Sequence, residues 1–206
     1  MSGRLKDRCR LTHAFICDEF SSQLWMSAIA FPVLMIAGFA LGYFNKDLAE
    51  TMVLTFSQQL ADKGVIDNDG SIQLIQLLLN NLQAAIFTVC YGLIPFLYLP
   101  ALSLGINGML MGFFAAFYVN NGMSMLFFAA AIIPHGIFEI PALIYSLAMG
   151  LYLCRTITDY VRNNTKGIVK EAAGNLLWVF LLRAVPLFTI ASLVETFVTP
   201  WIVTFL

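Results

Sequence analysis

The stretch that decides the fold is MLFFAAAIIPHGIFEIPALIYSLAMGLYL, residues Met125–Leu153, in which His135 and Glu139 are the only ionisable side chains apart from tyrosines. At 1.5 Å of rise per residue, about 20 apolar residues cross a hydrocarbon core of about 30 Å, and this run is longer than that. Working outward, similar runs occupy Trp25–Phe44, Leu82–Leu104, Ile106–Val119 and Leu176–Leu206. The whole chain agrees with them: its 206 residues are 60% hydrophobic and 11% charged, where a soluble domain is roughly 25% charged. A mean hydropathy of +0.82 is bulk hydrophobicity rather than one apolar face, so a soluble enzyme is excluded. The fold class is all-α, a polytopic transmembrane bundle of about five spans. A formal net charge of −1 gives no basic excess for nucleic acid.

The charged residues set an orientation. Arg4, Lys6, Arg8 and Arg10 precede the first span, and Arg155, Arg162, Lys166 and Lys170 lie between the fourth and fifth. The segment after the first span has Lys46 and Lys63 against Asp47, Glu50, Asp62, Asp67 and Asp69. Five spans put both basic segments on one side. The expected organisation is therefore a cytoplasmic N-terminal segment 1–24, without a signal peptide, followed by a transmembrane domain 25–206. That domain contains an external helical loop 45–81 and a cytoplasmic basic loop 154–175, and it ends outside at Leu206 in the cell membrane. Cys9, Cys17, Cys90 and Cys154 have no C-x-x-C spacing and imply no disulfide framework.

Within the external loop, Asn45–Lys63 reads as an amphipathic helix capped by Asn45 and closed at Gly64, with Leu48, Met52, Phe56 and Leu60 as its stripe. Asp67-Asn68-Asp69-Gly70 forms a turn, and Ser71 caps a helix leading into the second span. Along that helix Gln73, Gln76, Asn80 and Gln83 share a face that meets headgroups or water, or lines a polar vestibule.

Ionisable residues inside spans are costly and are functional suspects by default. Here they are His135 and Glu139 in the fourth span and Arg183 and Glu195 in the fifth. Pro134, Gly136 and Pro141 flank the first pair and predict a broken or kinked helix. Counted from the cytoplasmic ends, Arg183, Glu139, His135 and Glu195 lie roughly 12, 21, 27 and 30 Å deep, which pairs Arg183 with Glu139 and Glu195 with His135. The pattern is read first as mutual structural pairing, then as a proton or ion pathway, and last as a metal or hydrolytic centre. No catalytic residue, metal ion or cofactor is assigned. The glycine pairs Gly38 with Gly42 and Gly108 with Gly112 have the four-residue spacing of close helix contacts, within the chain or in a homodimer.

The string Pro134–Ala142 (PHGIFEIPA), Asn107-Gly108 with Gly112, and Glu195–Pro200 (ETFVTP), including Thr199 and Pro200, together resemble the stage II sporulation protein M family of integral membrane proteins. The resemblance implies five spans with the N-terminus inside. The namesake acts with a peptidoglycan hydrolase and a partner membrane protein during forespore engulfment, as a membrane component of that complex. The His-Gly-x-x-Glu version looks more like the broad bacterial and archaeal membership than the sporulation protein itself. The reading is thus a non-catalytic scaffold or permease-like subunit of a cell-envelope complex, whose partners are the lipid bilayer, membrane or envelope proteins, and a second copy of the chain. Its rival is an ion-, proton- or lipid-linked-substrate transporter or channel using the broken span. An intramembrane enzyme is third.

Overall fold

A computed structural model describes residues 2–67, 71–164 and 167–205, with side chains from residue 6 onward. Among these, five helical stretches are long and apolar enough to cross a membrane: Lys6–Phe44, Leu74–Tyr91, Leu99–Asn120, Met125–Asn163 and Ile168–Val203. The first begins well before Trp25. Helix α1 (Ser2–Phe15) passes through a π turn at Ile16–Phe20 into α2 (Ser21–Phe44), so the boundary expected at residue 24 falls inside continuous helix. Polar as it is, this segment is ordered by its few aromatic and aliphatic residues. Phe15, Ile16 and Phe20 are buried, with Phe15 edge-on to Tyr152 at 5.3 Å and Phe20 stacked on Tyr145 at 6.5 Å.

The segment after the first span matches its reading in type and, except at Met52, in face. Helix α3 (Lys46–Asp62) is capped by Asn45, whose Oδ1 accepts from Leu48 N at 3.1 Å, and Gly64 closes it at φ +66°. Its fully buried residues are Ala49 and Val53, and of the expected stripe Leu48, Phe56 and Leu60 are half-buried while Met52 is exposed. Small Ala49 lets the helix settle close to its neighbour, and Phe56 then meets Phe114 edge-on at 5.8 Å. The turn expected at Asp67–Gly70 has Asn68, Asp69 and Gly70 outside the described residues. On either side of it, Asp67 N donates to Ser71 O at 2.9 Å and Gln73 N to Val65 O at 2.8 Å. Helix α4 (Leu74–Tyr91) starts after Gln73, which makes no side-chain cap, so Ser71 is not the cap. The helix therefore takes up residues 74–81 of the expected external loop.

The second span ends earlier than hydropathy indicates. Residues 92–98, Gly-Leu-Ile-Pro-Phe-Leu-Tyr, form a turn, with Phe96 at φ 67° and Tyr98 at φ 46°, before helix α5 (Leu99–Asn120) begins. Pro95 disfavours helix at Ile94, and Pro100 suits the first turn of the next helix. Neighbouring side chains satisfy the turn's freed backbone groups: Phe96 N donates to Thr158 Oγ1 at 3.0 Å, and Cys154 Sγ donates to Ile94 O at 3.3 Å. Composition alone cannot distinguish an apolar turn whose hydrogen bonds are met this way from a continuing span.

Helix α6 (Met125–Asn163) is capped by Ser124, whose Oγ accepts from Phe127 N at 3.3 Å, and it runs unbroken through Pro134 and Pro141. The predicted break is therefore corrected. Each proline removes one internal hydrogen bond, and in a transmembrane helix the remaining bonds, held against protein neighbours, keep the segment helical. Past Leu153 the helix continues to Asn163, and α7 (Ile168–Val179) begins soon after. Most of the expected basic loop 154–175 is thus helical, while Lys166 lies outside the described residues, as does Leu206. The last span continues through a π turn at Phe180–Ala184, α8 (Val185–Leu193), a second π turn at Val194–Val198 and α9 (Thr199–Val203).

Both glycine pairs are used between α2 and α5. A Cβ on Gly38 would strike the Met109 backbone, and one on Gly112 would strike Met35 O and Phe39 N. Gly42 faces Phe113 and Ala116, and Gly108 faces Phe31 and Leu34. These glycine faces are therefore occupied within the chain. A second close approach, between the end of α4 and α6, has no paired-glycine signal in the sequence: a Cβ on Gly92 would strike Gly150 O, and one on Gly150 would crowd Thr88 O and Pro100. The outward face of α2, with Trp25, Ile29, Val33 and Ile36 exposed, is left for lipid. All four cysteines are free thiols.

Candidate functional site

His135 and Glu139 stand one turn apart on α6, and Glu195 and Thr199 stand one turn apart on the last span. The two turns face each other. His135 Nε2 lies 3.7 Å from Glu139 Oε2, and His135 Nδ1 lies 3.4 Å from Thr199 Oγ1. One ligand atom each from His135, Glu139 and Glu195 falls within 4.8 Å of the others. The π turn at Val194–Val198 helps explain the convergence, since widening one turn changes the direction of the side chains around it. Glu195 lies in that turn, and Thr199 follows it.

In electrostatic terms the site is acceptor-rich. Two carboxylates share a low-dielectric region, where like charges repel strongly and each needs compensation. Among the described residues neither carboxylate pairs with a lysine or arginine, and the imidazole is their only basic neighbour. The side chains of His135 and Glu139 are 12% and 22% exposed, so the cluster is not sealed.

Arg183 is not part of this group. It sits in the π turn Phe180–Ala184, and among the described residues it forms no ion pair and its buried Nε has no hydrogen-bond partner. The contact of His135 with Thr199 fixes the register of the two antiparallel spans, and Arg183, twelve residues before Glu195, is then about 18 Å away along the axis. Depths counted from Leu153 and Asn175 missed this because both helices extend beyond those residues. Pro134, Gly136 and Pro141 border the site on α6. Asn107 lies elsewhere, with Nδ2 donating to Ser103 O at 2.8 Å, beside the Gly108–Gly112 crossing. Thr199, singled out from the sequence only within a motif, is the imidazole's partner, and its four-residue spacing from Glu195 was the available signal.

At the opposite end of the bundle lies a groove of ≈ 270 Å³ lined by Arg8, Thr12, Asp18, Glu19, Glu171 and Trp178 among others. The Arg8 guanidinium is 5.4 Å from the centre of the Trp178 ring, and Tyr152 OH donates to Glu19 Oε2 at 2.9 Å. These contacts tie the N-terminal helix to α6 and α7.

The arrangement can be set beside known proteins. The family model described as Stage II sporulation protein M matches residues 26–200, which covers three of the five spans entirely, most of the last, the second half of the first and the whole His135 cluster. The chain belongs to the stage II sporulation protein M family. Membership in this family, together with the five apolar helices, makes it an integral membrane protein. An uncharacterized protein of Methanocaldococcus jannaschii is 30% identical over 131 residues, covering 63% of this chain and 72% of its own length, in keeping with a broad stage II sporulation protein M membership. No solved structure matches the chain.

Proposed function

We propose that this stage II sporulation protein M family member is a non-catalytic subunit of a cell-envelope complex, a scaffold or permease-like component. It sits in the cell membrane with its N-terminus in the cytoplasm and its C-terminus outside. The observation that carries the reading is the length of two helical stretches. Lys6–Phe44 and Met125–Asn163 are each 39 residues, about 58 Å at 1.5 Å per residue, against a hydrocarbon core of about 30 Å. Both excesses project on the N-terminal side, where Phe15, Phe20, Tyr145 and Tyr152 bind them together and Trp178 adds α7. A rigid platform with a charged groove suits docking of another membrane or envelope protein better than a flexible tail would. Lys6, Arg8, Arg10, Arg155, Arg162 and Lys170 flank the spans on that side, supporting a cytoplasmic platform.

A photocrosslinking residue at Leu11, 61% exposed on the platform, tests this against one at Ile36, 65% exposed on the lipid face. The expected result in native membranes is one discrete protein adduct from position 11 and none from position 36. Adducts of equal kind from both positions, or none from the platform, would contradict it. The convergence of His135, Glu139 and Glu195 favours a second reading, an ion- or proton-coupled transporter or channel. It predicts flux through reconstituted vesicles that Glu139→Gln abolishes.

A further inference from the structure

The His135 cluster brings together an imidazole nitrogen and two carboxylate oxygens from two different spans, with one weak contact of 3.7 Å among them. Purely structural pairing would leave this arrangement unfinished, because among the described residues two glutamates share a single histidine and no arginine or lysine joins them. We propose that His135, Glu139 and Glu195 form a binding site for a divalent transition-metal ion of the zinc type.

Four features point the same way. Three ligand atoms lie within 4.8 Å of one another, whereas oxygens and nitrogens around tetrahedral zinc are on the order of 3.4 Å apart, so a shift of about 1 Å per side chain closes the shell. Thr199 Oγ1 lies 3.4 Å from His135 Nδ1, the position from which an outer partner fixes the ring and leaves Nε2 for the ion. Glu195 enters from a π turn, a local feature frequent at functional sites. The compensating positive charge that two membrane-embedded carboxylates require is absent from the side chains around them and is what a divalent ion supplies. An imidazole with so few oxygens disfavours calcium and magnesium, which prefer larger oxygen-only shells. Three protein ligands leave one position for water or for a group from a partner. Ten residues separate His135 from the start of α6, so the ion lies about 15 Å from that end. The ion site is independent of the proposed docking surface.

A competing zinc ligand pair exists at the other end, where Cys17 Sγ is 3.8 Å from His13 Nε2, and the test separates the two. The full chain, purified in mild detergent and stripped with a chelator, is titrated with Zn²⁺ alone and, separately, with Co²⁺. The expected result is about one ion per chain, with a cobalt spectrum of nitrogen and oxygen ligation lacking thiolate charge-transfer bands. Binding should be lost in His135→Ala and Glu195→Gln, weakened at least about tenfold in Thr199→Val, and retained in His13→Ala. A thiolate band, full binding in His135→Ala, or no Zn²⁺ uptake by the parent chain would overturn the site. Should the variants fail to stay monodisperse, the cobalt spectrum of the parent chain decides between the two ends by itself.

Discussion

Gly38 and Gly112 determine how closely α2 and α5 approach, because in each case an added Cβ would meet backbone rather than a yielding side chain. Overpacking of this kind costs about 1–3 kcal/mol, so Gly38→Leu and Gly112→Leu should both lower the thermal unfolding midpoint in detergent. Gly105 on the same helix has open space where its Cβ would go. Gly105→Ala should be neutral or stabilising by up to about 1 kcal/mol, and equal loss at all three positions would show that the crossing is wrongly placed. The polar residues make a sharper residue-scale prediction. Because Arg183 lies away from Glu139, Glu139→Gln and Arg183→Met should be additive within about 0.5 kcal/mol, whereas Glu139→Gln and Glu195→Gln should couple by more than that. A double-mutant cycle on thermal stability measures both. At this scale the four ionisable residues were legible from sequence by their cost in lipid, and the His135–Glu195 approach followed from depth counting. The Arg183 pairing did not survive, since counting assumed helix ends that the chain extends.

Among the elements, the turn at residues 92–98 separates what sequence can and cannot show. Hydropathy merges it with its neighbours because every residue in it is apolar, glycine or proline. Its existence depends on acceptors and donors supplied sixty residues away by Thr158 and Cys154. Thr158→Val leaves Phe96 N without its partner in a part-buried, apolar setting and should cost about 1–3 kcal/mol. Thr156→Val removes only a hydroxyl bonded to its own helix at Tyr152 O, and should change stability far less. Comparable losses from both would mean that the turn is not held by Thr158. The α3 helix shows the complementary case: its Asn45 cap and Gly64 terminus were readable because both are local, while the depth of burial along its packing face depended on α5, which centres it on Ala49 and Val53 and leaves Met52 exposed. Pro134 and Pro141 belong here too, since a proline signals a missing hydrogen bond but not whether the surrounding helix yields.

For the molecule as a whole, the five spans and their alternation were visible in composition and run length, while the N-terminal platform was hidden. Residues before Trp25 are polar on average, and only Phe15, Ile16 and Phe20 finding Tyr145 and Tyr152 turns them into a rigid extension of the first span. In the proposed function that platform is the docking surface, and its sidedness decides which compartment a partner would come from. The most direct measurement labels single cysteines with an impermeant thiol reagent in intact cells, using native Cys9 and Cys17, both exposed on the platform, and Gln58→Cys on the exposed surface of α3 in a cysteine-free background. A cytoplasmic platform predicts labelling of Gln58→Cys from outside, with Cys9 and Cys17 reacting only after permeabilisation. Labelling of Cys9 and Cys17 in intact cells, with Gln58→Cys protected, would invert the protein in the membrane and contradict a cytoplasmic docking platform.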